Sequence, residues 1–569
     1  MERRKIVIIG GVATGPKTAA RCRRLDQDAE ITIVERGDLI SYAGCGLPFY
    51  VEDVIEEYDA LLTTARGVLR DVSYFRDHWG VRVLDNTEAL KINRKEKTVT
   101  VKDLRTGETR DLPYNKLVLA TGASPFVPKM EGIELEGVHR LYNPHDAKTI
   151  KEALDRGARR VVIVGGGLIG METCGAFVGR GCEVTVFEMM PHLVPALMDE
   201  EMALLLEKYL KERGVRVSTG SPVSKILDDG TGRVAGVETA DGRRVDADLV
   251  VVAIGVRPNT ELAVETGLDI GPTRAIAVND CLRTSDPDIY AGGDCVENTH
   301  LVTGEKVYTP MGSTANKHGR IIADNINGKR TTFPGVTATA VFKMLDFNCG
   351  ATGITEKKAR ELGYDVVTSL CPRRDHSHYI PGAEFFVVKL VADRKTGRVL
   401  GCQVVGEGDG VKRIDVAATV LKFGGDVKAL ADLDLAYAPP YSEAMDAIAH
   451  AANVIRNKVD GLAHGVPPVE MKRRLESDED FVFADCRDRP SYEEQTIENE
   501  RTINMPFEEL MEGPPEFPKD KEIIFFCNTS IAAYAAERVL RSMGYEDVKF
   551  LDGSLDAWPF PLETLKKQP

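Results

Sequence analysis

At 569 residues and about 150 residues per domain, the chain is long enough for three or four domains. Its 73 Lys and Arg residues against 88 Asp and Glu give a formal net charge of -15, which argues against broad electrostatic capture of nucleic acid or of an anionic membrane. The eleven cysteines are odd in number and lack CxxC pairs, so neither a disulfide framework nor a metal site is expected. Because the chain runs straight into a strand at Ile6 to Ile9 and has no apolar run of about 18 residues, we expect a soluble protein of the reducing cytoplasm, without signal sequence or membrane span.

An internal repeat organises the N-terminal half of the chain. A β-branched strand, a glycine-rich turn and a helix are predicted twice, at KIVIIGGVATG and at RVVIVGGGLIG. Each copy continues into a second strand that ends on an acid, then into a hairpin and an apolar strand that ends on glycine. These residues are Gly10, Gly15, Glu35 and Gly122 in the first copy and Gly165, Gly170, Glu188 and Gly255 in the second. Since TSDPDIYAGGD reads as one more strand returning to the first copy, two dinucleotide-binding βαβ domains are predicted, one inserted in the other.

The glycine turn of the second copy has the spacing of a nicotinamide dinucleotide site. Gly165, Gly167 and Gly170 permit a tight turn, close approach of a pyrophosphate and close helix packing, while the helix N-terminus supplies amide donors. Glu188 follows 23 residues after Gly165, where it can accept from a ribose hydroxyl. Because no Lys or Arg adjoins Glu188 to meet a 2′-phosphate, NADH is expected in preference to NADPH. In the first copy Val12 replaces the middle glycine, so an ordinary βα turn is an alternative there.

An ordered set of motifs resembles the pyridine nucleotide-disulfide oxidoreductases over residues 1–458. The motifs are GGVATG with Glu35, ATG at 120 to 122, GGGLIGME, AIGVRPN and TSDPDIYAGGD. The resemblance implies FAD in the first domain, with Glu35 at the adenosine ribose and Asp294 at the ribityl-phosphate region. It implies NADH in the second domain, with NADPH as an alternative. A simple helix N-cap is the alternative role of Asp294, and it is compatible with the implied one. The other residues implied as cofactor contacts are Thr121, Gly122 and Gly255.

The segment SYAGCGLPF, directly after the Glu35 strand, contains one cysteine, Cys45. Two-cysteine members of the superfamily carry a CxxxxC pair in this region, whereas a single sulfur must hold its oxidised state as a mixed disulfide or as a sulfenic acid. The pattern SxxxCGxPF resembles the coenzyme A disulfide reductases, which implies that Ser41 and Cys45 belong to a site for coenzyme A substrates; a buried structural cysteine is the alternative. Gly44 departs from the Asn common in those enzymes. The resemblance also assigns Arg24, on the first helix, to the phosphates of coenzyme A, with a solvated charged face as the alternative.

Two tyrosines occur beside prolines in the third predicted domain, Tyr379 in HSHYIPG and Tyr437 in DLAYAPPYSEAMDAI. In the coenzyme A disulfide reductases, two tyrosines in matching segments reach from the partner subunit to the reacting sulfurs. The resemblance therefore implies a homodimer with shared sites, in which a phenol stabilises a departing thiolate. Ordinary packing with a wetted hydroxyl is the alternative.

Four C-terminal segments resemble a rhodanese domain in order and spacing. They are FVFADCRD, INMPFEEL, IIFFCNTSIAAYAAERVL and FLDGSLDAW. Cys527 ends a predicted strand and precedes a helix, where backbone amides and the helix dipole favour a thiolate or a persulfide. Five positions later stands Ala532, where active rhodaneses often carry a cation, and residues 528–533 have no charge. A degenerate, purely structural domain is therefore the alternative.

The predicted fold class is α/β, with two Rossmann-like dinucleotide-binding domains, an α+β dimerisation domain and a C-terminal α/β rhodanese-like domain. The FAD domain is expected to be discontinuous, and a linker rich in Gly and Pro is expected before the last domain. The predicted ranges are 1–115 with 250–330 for FAD, 116–249 for NAD(P)H, 331–458 for dimerisation, 459–470 for the linker and 471–569 for the rhodanese-like domain.

These predictions combine into a flavin-dependent NAD(P)H reductase of coenzyme A disulfide, coenzyme A persulfide or polysulfide. Cys45 is the expected redox cysteine, and Cys527 is expected to handle sulfane sulfur. One alternative is an NADH oxidase or peroxidase that cycles Cys45 through a sulfenic acid. The other is a sulfur-carrier or redox-sensing protein with negligible turnover.

Overall fold

The computed structural model describes residues 3–513 and 517–565, and it divides into two compact units. Unit 1 comprises Met1–Phe187 with Pro222–Val336, and unit 2 comprises Glu188–Ser221 with Thr337–Pro569. The α-helices of the described residues are α1 (Thr14–Leu25), α2 (Leu47–Val51), α3 (Val72–Trp79), α4 (Pro144–Asp155), α5 (Leu168–Gly179), α6 (Glu200–Glu212), α7 (Glu261–Glu265), α8 (Gly312–Ile326), α9 (Glu356–Glu361), α10 (Arg413–Lys422), α11 (Val427–Ala431), α12 (Ala447–Val459), α13 (Pro468–Leu475), α14 (Arg489–Glu494), α15 (Phe507–Glu512) and α16 (Ile531–Ser542). The β-strands are β1 (Lys5–Ile9), β2 (Glu30–Val34), β3 (Arg82–Leu84), β4 (Thr87–Asn93), β5 (Thr98–Asp103), β6 (Thr109–Pro113), β7 (Lys116–Leu119), β8 (Ala123–Pro125), β9 (Val138–His139), β10 (Arg160–Val164), β11 (Glu183–Phe187), β12 (Arg216–Ser218), β13 (Val223–Asp228), β14 (Val234–Thr239), β15 (Arg244–Asp246), β16 (Leu249–Val252), β17 (Val256–Pro258), β18 (Ile289–Ala291), β19 (Asn298–Thr299), β20 (Lys306–Val307), β21 (Ala340–Met344), β22 (Phe347–Gly353), β23 (Val366–Arg374), β24 (Phe385–Asp393), β25 (Val399–Gly406), β26 (Gly465–Val466), β27 (Phe481–Asp485), β28 (Thr502–Asn504), β29 (Glu522–Phe526) and β30 (Val548–Leu551).

The first sheet of unit 1 is parallel and has the strand order β18-β7-β1-β2-β3. Strand β1 is apolar at every position after Lys5 because both of its faces are covered. Ile6 and Ile8 belong to the core formed with α1 and α8, and Val7 and Ile9 belong to the core formed with the antiparallel β4-β5-β6 sheet. The continuous apolar run in the sequence therefore corresponds to a strand buried on two sides.

The second sheet of unit 1 repeats this arrangement. Strand β10 pairs in parallel with β11 on one side and with β16 on the other, and β9 pairs with β16. An antiparallel β13-β14-β15 sheet accompanies it, with Asp241 and Gly242 in the turn of its second hairpin. Since β18 returns to pair with β7, the predicted repeat, its hairpins and the returning strand are confirmed.

The two strands that end on glycine belong to other sheets than the predicted domain boundaries implied. Strand β7 starts at Lys116 and pairs with β1, although the prediction placed residues 116–249 in the second domain. Strand β16 starts at Leu249 and pairs with β10, although the prediction returned residues 250–330 to the first domain. In each copy, the strand that ends on glycine completes the sheet of its own domain before the chain passes to the other domain. Only the strand pairing shows where the chain passes between them.

The first sheet of unit 2 is antiparallel, with the strand order β21-β22-β25-β24-β23. Its β24–β25 hairpin turns at residues 395–397, as the sequence predicted. Lys389 on β24 is 1% exposed, and its ammonium forms ion pairs of 2.6–3.0 Å with Asp199, Glu201 and Glu356. These three carboxylates compensate the cost of burying the cation.

The C-terminal sheet of unit 2 is parallel, with the strand order β26-β30-β29-β27-β28. Residues of α16 belong to one of its buried clusters and residues of α13 to another. Strand β26, Gly465–Val466, lies within the predicted linker 459–470 and pairs with Phe550 and Leu551. The linker is therefore shorter than predicted, because a strand of two residues gives no periodic pattern that a sequence reading can detect.

All eleven cysteines are free thiols. Within residues 3–513 and 517–565, no group of three or more His, Cys, Asp or Glu side chains is arranged to hold a metal ion. Across the same ranges, none of the helices combines the length and the apolar character that a bilayer-crossing segment needs.

Candidate active site

The first glycine turn brings the N-terminus of α1 close to the end of β1. Gly10 has a φ of +113°, and a Cβ there would overlap the carbonyl oxygen of Ala120. A Cβ on Gly15 would overlap the carbonyl oxygen of Gly10, so only glycine lets the helix approach the strand this closely. Helix α1 has no side-chain N-cap and no acid in its first turn. Its amide groups thus suit an anionic group such as a pyrophosphate.

The second glycine turn has the same construction. Gly165 has a φ of +111° and faces the carbonyl of Ala253, and a Cβ on Gly170 would overlap the carbonyl oxygen of Gly165. Gly167 differs, because a Cβ there would point into open space next to the uncapped N-terminus of α5. This glycine is not required by packing within the protein, so the space it leaves fits a closely approaching pyrophosphate.

Both predicted ribose acids are fixed by backbone amides. The carboxylate of Glu35 accepts hydrogen bonds from Gly11 N at 2.6 Å and Gly37 N at 2.8 Å, while burial raises its pKa. In unit 2, Glu188 is 7% exposed and accepts from Met190 N at 2.8 Å. Each carboxylate oxygen retains acceptor capacity for a sugar hydroxyl. The arrangement fits dinucleotide binding, and the individual roles stay predictions.

Three further predicted cofactor residues lie where the chain crosses between the two βαβ units. Thr121 Oγ1 donates to the Asn259 carbonyl at 2.7 Å, and the Asn259 amide donates to the carbonyl of Thr121 at 2.8 Å. Gly122 and Gly255 have φ values of +65° and +105°. The adjoining strands β8 and β17 pair antiparallel, so these residues shape the crossover of unit 1.

Asp294 follows β18 in a turn, and no helix begins directly after it. Asp294 therefore does not occupy the N-cap position of a helix that follows it directly. Burial raises the pKa of Asp294 to about 6, against a hydrogen bond from the Met311 backbone. Because Met311 immediately precedes α8, the Asp294 carboxyl lies at the start of that helix.

Cys45 lies beside the N-terminus of the same helix. It occupies a 3₁₀ turn, Gly44–Gly46, and is exposed. Its Sγ lies 4.0 Å from the position that a Cβ on Gly312, the first residue of α8, would take. Ser41 has a φ of +53° and donates its backbone N–H to Gly11 O at 2.8 Å, which ties the cysteine segment to the first glycine turn. The exposure of Cys45 contradicts the alternative of a buried structural cysteine.

Two acids oppose the helix dipole at this thiol. Desolvation, followed by the charges of Glu172 and Asp294, raises the pKa of Cys45. Burial raises the pKa of Glu172 itself to about 7, so this carboxyl holds a proton over much of the neutral range. Glu172 was not among the predicted site residues. Its signal was a single acid in LIGMETCGAFVG, the otherwise apolar helix α5.

The three arginine side chains of α1 differ in their contacts and in their exposure to solvent. Arg21 forms an ion pair of 2.8 Å with Asp324, and Arg23 donates to the Trp79 carbonyl. Arg24 is exposed, with its guanidinium 4.6 Å from the centroid of the Trp79 ring. Of the three, Arg24 is the one presented to solvent, which suits the predicted phosphate contact without testing it.

The two predicted tyrosines lie together on unit 2. Tyr379 is 62% exposed and Tyr437 is 51% exposed. Desolvation and the Tyr379 phenol raise the pKa of Tyr437, while Ser377 opposes the increase. Packing within the chain therefore does not explain these two phenols, and their predicted role in a partner subunit's site stays a prediction.

Cys527 has the environment expected of a stabilised thiolate. It follows β29 and is 5% exposed at the start of the loop into α16. The neighbouring Cys486 side chain, together with backbone amides of Ala533, Thr529 and Ala532, lowers the pKa of Cys527 to about 6 against the effect of burial. The amide contribution agrees with the sequence argument, whereas the contribution of Cys486 was missed.

One basic side chain beside this loop is already paired with an acid. Arg487 Nη1 lies 3.3 Å from Asn528 Oδ1, and the same guanidinium forms an ion pair of 2.7 Å with Asp485. Ser554 Oγ accepts from the Cys527 amide at 3.2 Å and anchors the loop from the opposite side. The anionic sulfur is thus stabilised by neutral donors.

Three family models match the chain: pyridine nucleotide-disulphide oxidoreductase over residues 4–318, its dimerisation domain over 338–449, and a rhodanese-like domain over 467–559. A solved structure described as a NAD-dependent persulfide reductase from A. fulgidus is 44% identical, with a TM-score of 0.93, and the match covers 97% of this chain and 100% of that chain. An NAD(P)H coenzyme A polysulfide/persulfide reductase of Pyrococcus horikoshii is 37% identical over 80% of this chain and 99% of its own length. An NADH oxidase of Methanocaldococcus jannaschii is 33% identical over 79% of this chain and 98% of its own length.

Proposed function

Because this chain belongs to the pyridine nucleotide-disulphide oxidoreductase family, we propose that it reduces coenzyme A disulfide, coenzyme A persulfide or polysulfide with NAD(P)H. The observation that carries this proposal is the single exposed thiol of Cys45 at the N-terminus of α8, beside the protonatable carboxyl of Glu172. FAD, held at the first glycine turn, and NAD(P)H, held at the second, supply two-electron chemistry when bound.

The chain's own residues handle the sulfur. The Cys45 thiolate attacks one sulfur of the substrate, forms a mixed disulfide and releases a thiolate. The dipole of α8 favours the anionic form of Cys45 during this attack. A protonated Glu172 can give its proton to the departing sulfur. Two-electron reduction of the mixed disulfide then restores Cys45 for the next substrate.

The C-terminal domain fits the sulfane-sulfur branch of this activity. The Cys486 side chain and the backbone amides of the loop after β29 stabilise an anionic sulfur on Cys527, with no side-chain cation in that loop. We therefore assign to Cys527 a persulfide that it delivers to, or receives from, the Cys45 site. This assignment opposes the alternative of a purely structural domain, since a structural cysteine has no need of a lowered pKa.

Exposed aromatic and apolar side chains on unit 2 support a homodimer. This set lies in the region that matches a dimerisation domain. Its members are Tyr379, Phe385, Phe423, Leu433, Tyr437, Tyr441 and Met445, all more than a third exposed. Covering them with a second copy removes apolar surface from water and brings the tyrosines to a partner's site, as the sequence analysis proposed.

The test compares sulfur and oxygen acceptors in the parent enzyme and in Cys45→Ser. Parent enzyme should consume NADH fastest with a coenzyme A disulfide, persulfide or polysulfide, and Cys45→Ser should lose at least 100-fold in those rates. Reduction of bound FAD by NADH should survive in the variant, because both glycine turns are intact. Cys281→Ser, a half-buried cysteine outside the motif, is the matched control and should behave as the parent.

Other outcomes identify the alternatives. Faster turnover with oxygen or peroxide than with any sulfur acceptor would favour the NADH oxidase or peroxidase function, in which Cys45 forms a sulfenic acid. Negligible turnover with every acceptor would favour a sulfur carrier or sensor. Near-parent sulfur reduction by Cys45→Ser would contradict the role given to this thiol.

A further inference from the structure

Cys486 and Cys527 directly follow two adjacent parallel strands of the C-terminal sheet. Asp485 of β27 pairs in register with Phe526 of β29, so the two cysteines are the next residues on neighbouring strands. Cys486 donates its backbone N–H to Phe526 O at 2.9 Å, and its Sγ lies 3.1 Å from the same oxygen. Neighbouring strands lie about 4.8 Å apart. That spacing falls within the roughly 4.4–6.8 Å between Cα atoms that a disulfide bridges.

The environment gives the two thiols different protonation states. Both are buried, at 2% and 5% exposure, in one apolar cluster that excludes solvent. The interaction between the two side chains lowers the pKa of Cys527 and raises the pKa of Cys486. Cys486 is therefore the neutral thiol and Cys527 the anionic sulfur, which is the arrangement of a nucleophile beside a proton-bearing second thiol.

We propose that Cys486 is a resolving cysteine that displaces sulfane sulfur from Cys527 as hydrosulfide. This inference rests on the proposed function in one respect, the acceptance of sulfur by Cys527. Cys486 Sγ attacks Cys527 Sγ of the persulfide, and a Cys486–Cys527 bond forms as the bond to the outer sulfur breaks. The outer sulfur leaves with the electron pair of the broken bond and with the Cys486 proton, as HS⁻. Both cysteines are thereby oxidised to a disulfide.

Two equivalents of a small thiol return the pair to its reduced form. With coenzyme A as that thiol, the first equivalent opens the disulfide to a mixed disulfide and the second releases coenzyme A disulfide. Coenzyme A disulfide is itself among the proposed substrates of the Cys45 site. The dithiol pair therefore couples sulfane-sulfur removal to the NAD(P)H-dependent activity through a diffusible carrier, as a second route beside transfer between Cys527 and the Cys45 site.

The experiment uses the full chain with Cys45→Ser, so that sulfur chemistry at Cys45 is absent. The protein is treated anaerobically with polysulfide, freed of excess reagent, and followed by intact mass, hydrosulfide release and non-reducing peptide mapping. We expect a persulfide on Cys527 that decays with release of one hydrosulfide per chain and appearance of a Cys486–Cys527 linked peptide. Coenzyme A should then restore two thiols and yield coenzyme A disulfide.

The decisive comparison adds Cys486→Ser, and separately the similarly sized apolar Cys486→Val, to the same background. Each should retain the Cys527 persulfide at least tenfold longer and form no disulfide at that position. Cys371→Ser, which removes another buried thiol of unit 2, is the matched control and should resolve normally. Folding of every variant is checked by circular dichroism and flavin content.

Failure of this inference and failure of the proposed function give different results. A persulfide on Cys527 with the same lifetime in all variants would overturn the resolving role and leave sulfur acceptance intact. No persulfide on Cys527 in any variant would overturn its sulfur role, and with it this inference. The role of Cys45 depends on neither result, because its own test measures steady-state reduction by the parent enzyme.

Discussion

At the scale of single residues, the thiol of Cys45 is subject to two opposing electrostatic influences. The N-terminus of α8 favours the thiolate, while desolvation and the carboxylates of Glu172 and Asp294 raise the pKa of Cys45. Since the pKa of Glu172 is about 7 and that of Asp294 about 6, the two acids change charge in the range in which the enzyme would operate. The reactivity of Cys45 should therefore depend on pH through its neighbours as well as through its own proton.

We predict that Glu172→Gln lowers the pH at which Cys45 becomes reactive. The ionised carboxylate of Glu172 disfavours the thiolate, and a neutral amide of similar size removes that repulsion. The pH dependence of iodoacetamide alkylation at Cys45, read by peptide mass spectrometry, measures the change. The control is Glu152→Gln, which neutralises an exposed acid on α4 that is not among the charges acting on Cys45. An inflection that stays in place or moves to higher pH in Glu172→Gln would contradict the argument.

Cofactor preference is a second consequence at this scale. Glu188 is nearly buried and fixed by Met190 N, and the exposed Met189 supplies no charge to meet a 2′-phosphate. We predict higher kcat/KM with NADH than with NADPH. The double substitution Glu188→Ala with Met189→Arg should reverse the preference, with a change of roughly tenfold or more in the ratio.

Steady-state kinetics with both nucleotides measure this preference. Met189→Ala alone is the control, since it alters the side chain without removing the acid or adding a cation. NADPH preference in the parent enzyme, or an unchanged ratio in the double variant, would show that Glu188 does not discriminate.

At the scale of elements, a helix without a side-chain N-cap begins at each of the proposed anion sites. A strand and a tight turn precede α1, α5 and α16, and the start of α8 lies beside Cys45. Two of these termini suit phosphate groups and two suit anionic sulfur. We propose that the fold binds anions with backbone groups, which agrees with the net negative charge of the whole chain.

The second glycine turn provides a test that separates folding from binding. Gly170→Ala should lower stability by roughly 1–3 kcal/mol, because the added Cβ overlaps the Gly165 carbonyl and forces α5 away from β10. Gly167→Ala should leave the melting temperature almost unchanged, since its Cβ points into open space. It should nevertheless raise KM for NADH roughly tenfold, because that space is the proposed position of the pyrophosphate.

Thermal unfolding and steady-state kinetics measure the two effects on the same preparations. Gly181→Ala, at a positive φ away from the turn, controls for the general cost of alanine at a glycine position. Equal losses of stability in Gly167→Ala and Gly170→Ala would contradict the distinction between packing and ligand space.

At the scale of the whole molecule, sequence alone could predict the features that depend on local periodicity. The two βαβ repeats, their hairpins, the single Cys45 and the strand-to-helix position of Cys527 all follow from residues close together in the chain. The position of Asp294 at α8 and the pairing of Cys486 with Cys527 depend on contacts between distant segments. No local pattern encodes such contacts, and for the same reason the crossover strands β7 and β16 were assigned to the neighbouring domain.

The shared site is the prediction that belongs to this scale. If Tyr379 and Tyr437 act on the partner's Cys45, then Tyr379→Phe with Tyr437→Phe should lower sulfur-substrate turnover while NADH still reduces the flavin. The double-Phe protein and Cys45→Ser would each have two defective sites as homodimers. In a mixed dimer, one site combines an intact Cys45 with intact tyrosines, and the other combines both defects.

Mixing the two proteins under conditions that exchange subunits should therefore restore activity. Random reassociation gives about half mixed dimers with one working site each, so about a quarter of parent turnover is expected. Mixing without exchange is the control and should restore nothing. Complementation requires that the two halves of the site come from different subunits, because tyrosines acting on the Cys45 of their own chain leave every site of every dimer defective. Absence of any recovery after proven exchange would therefore exclude the shared site, even if the tyrosines prove important for turnover.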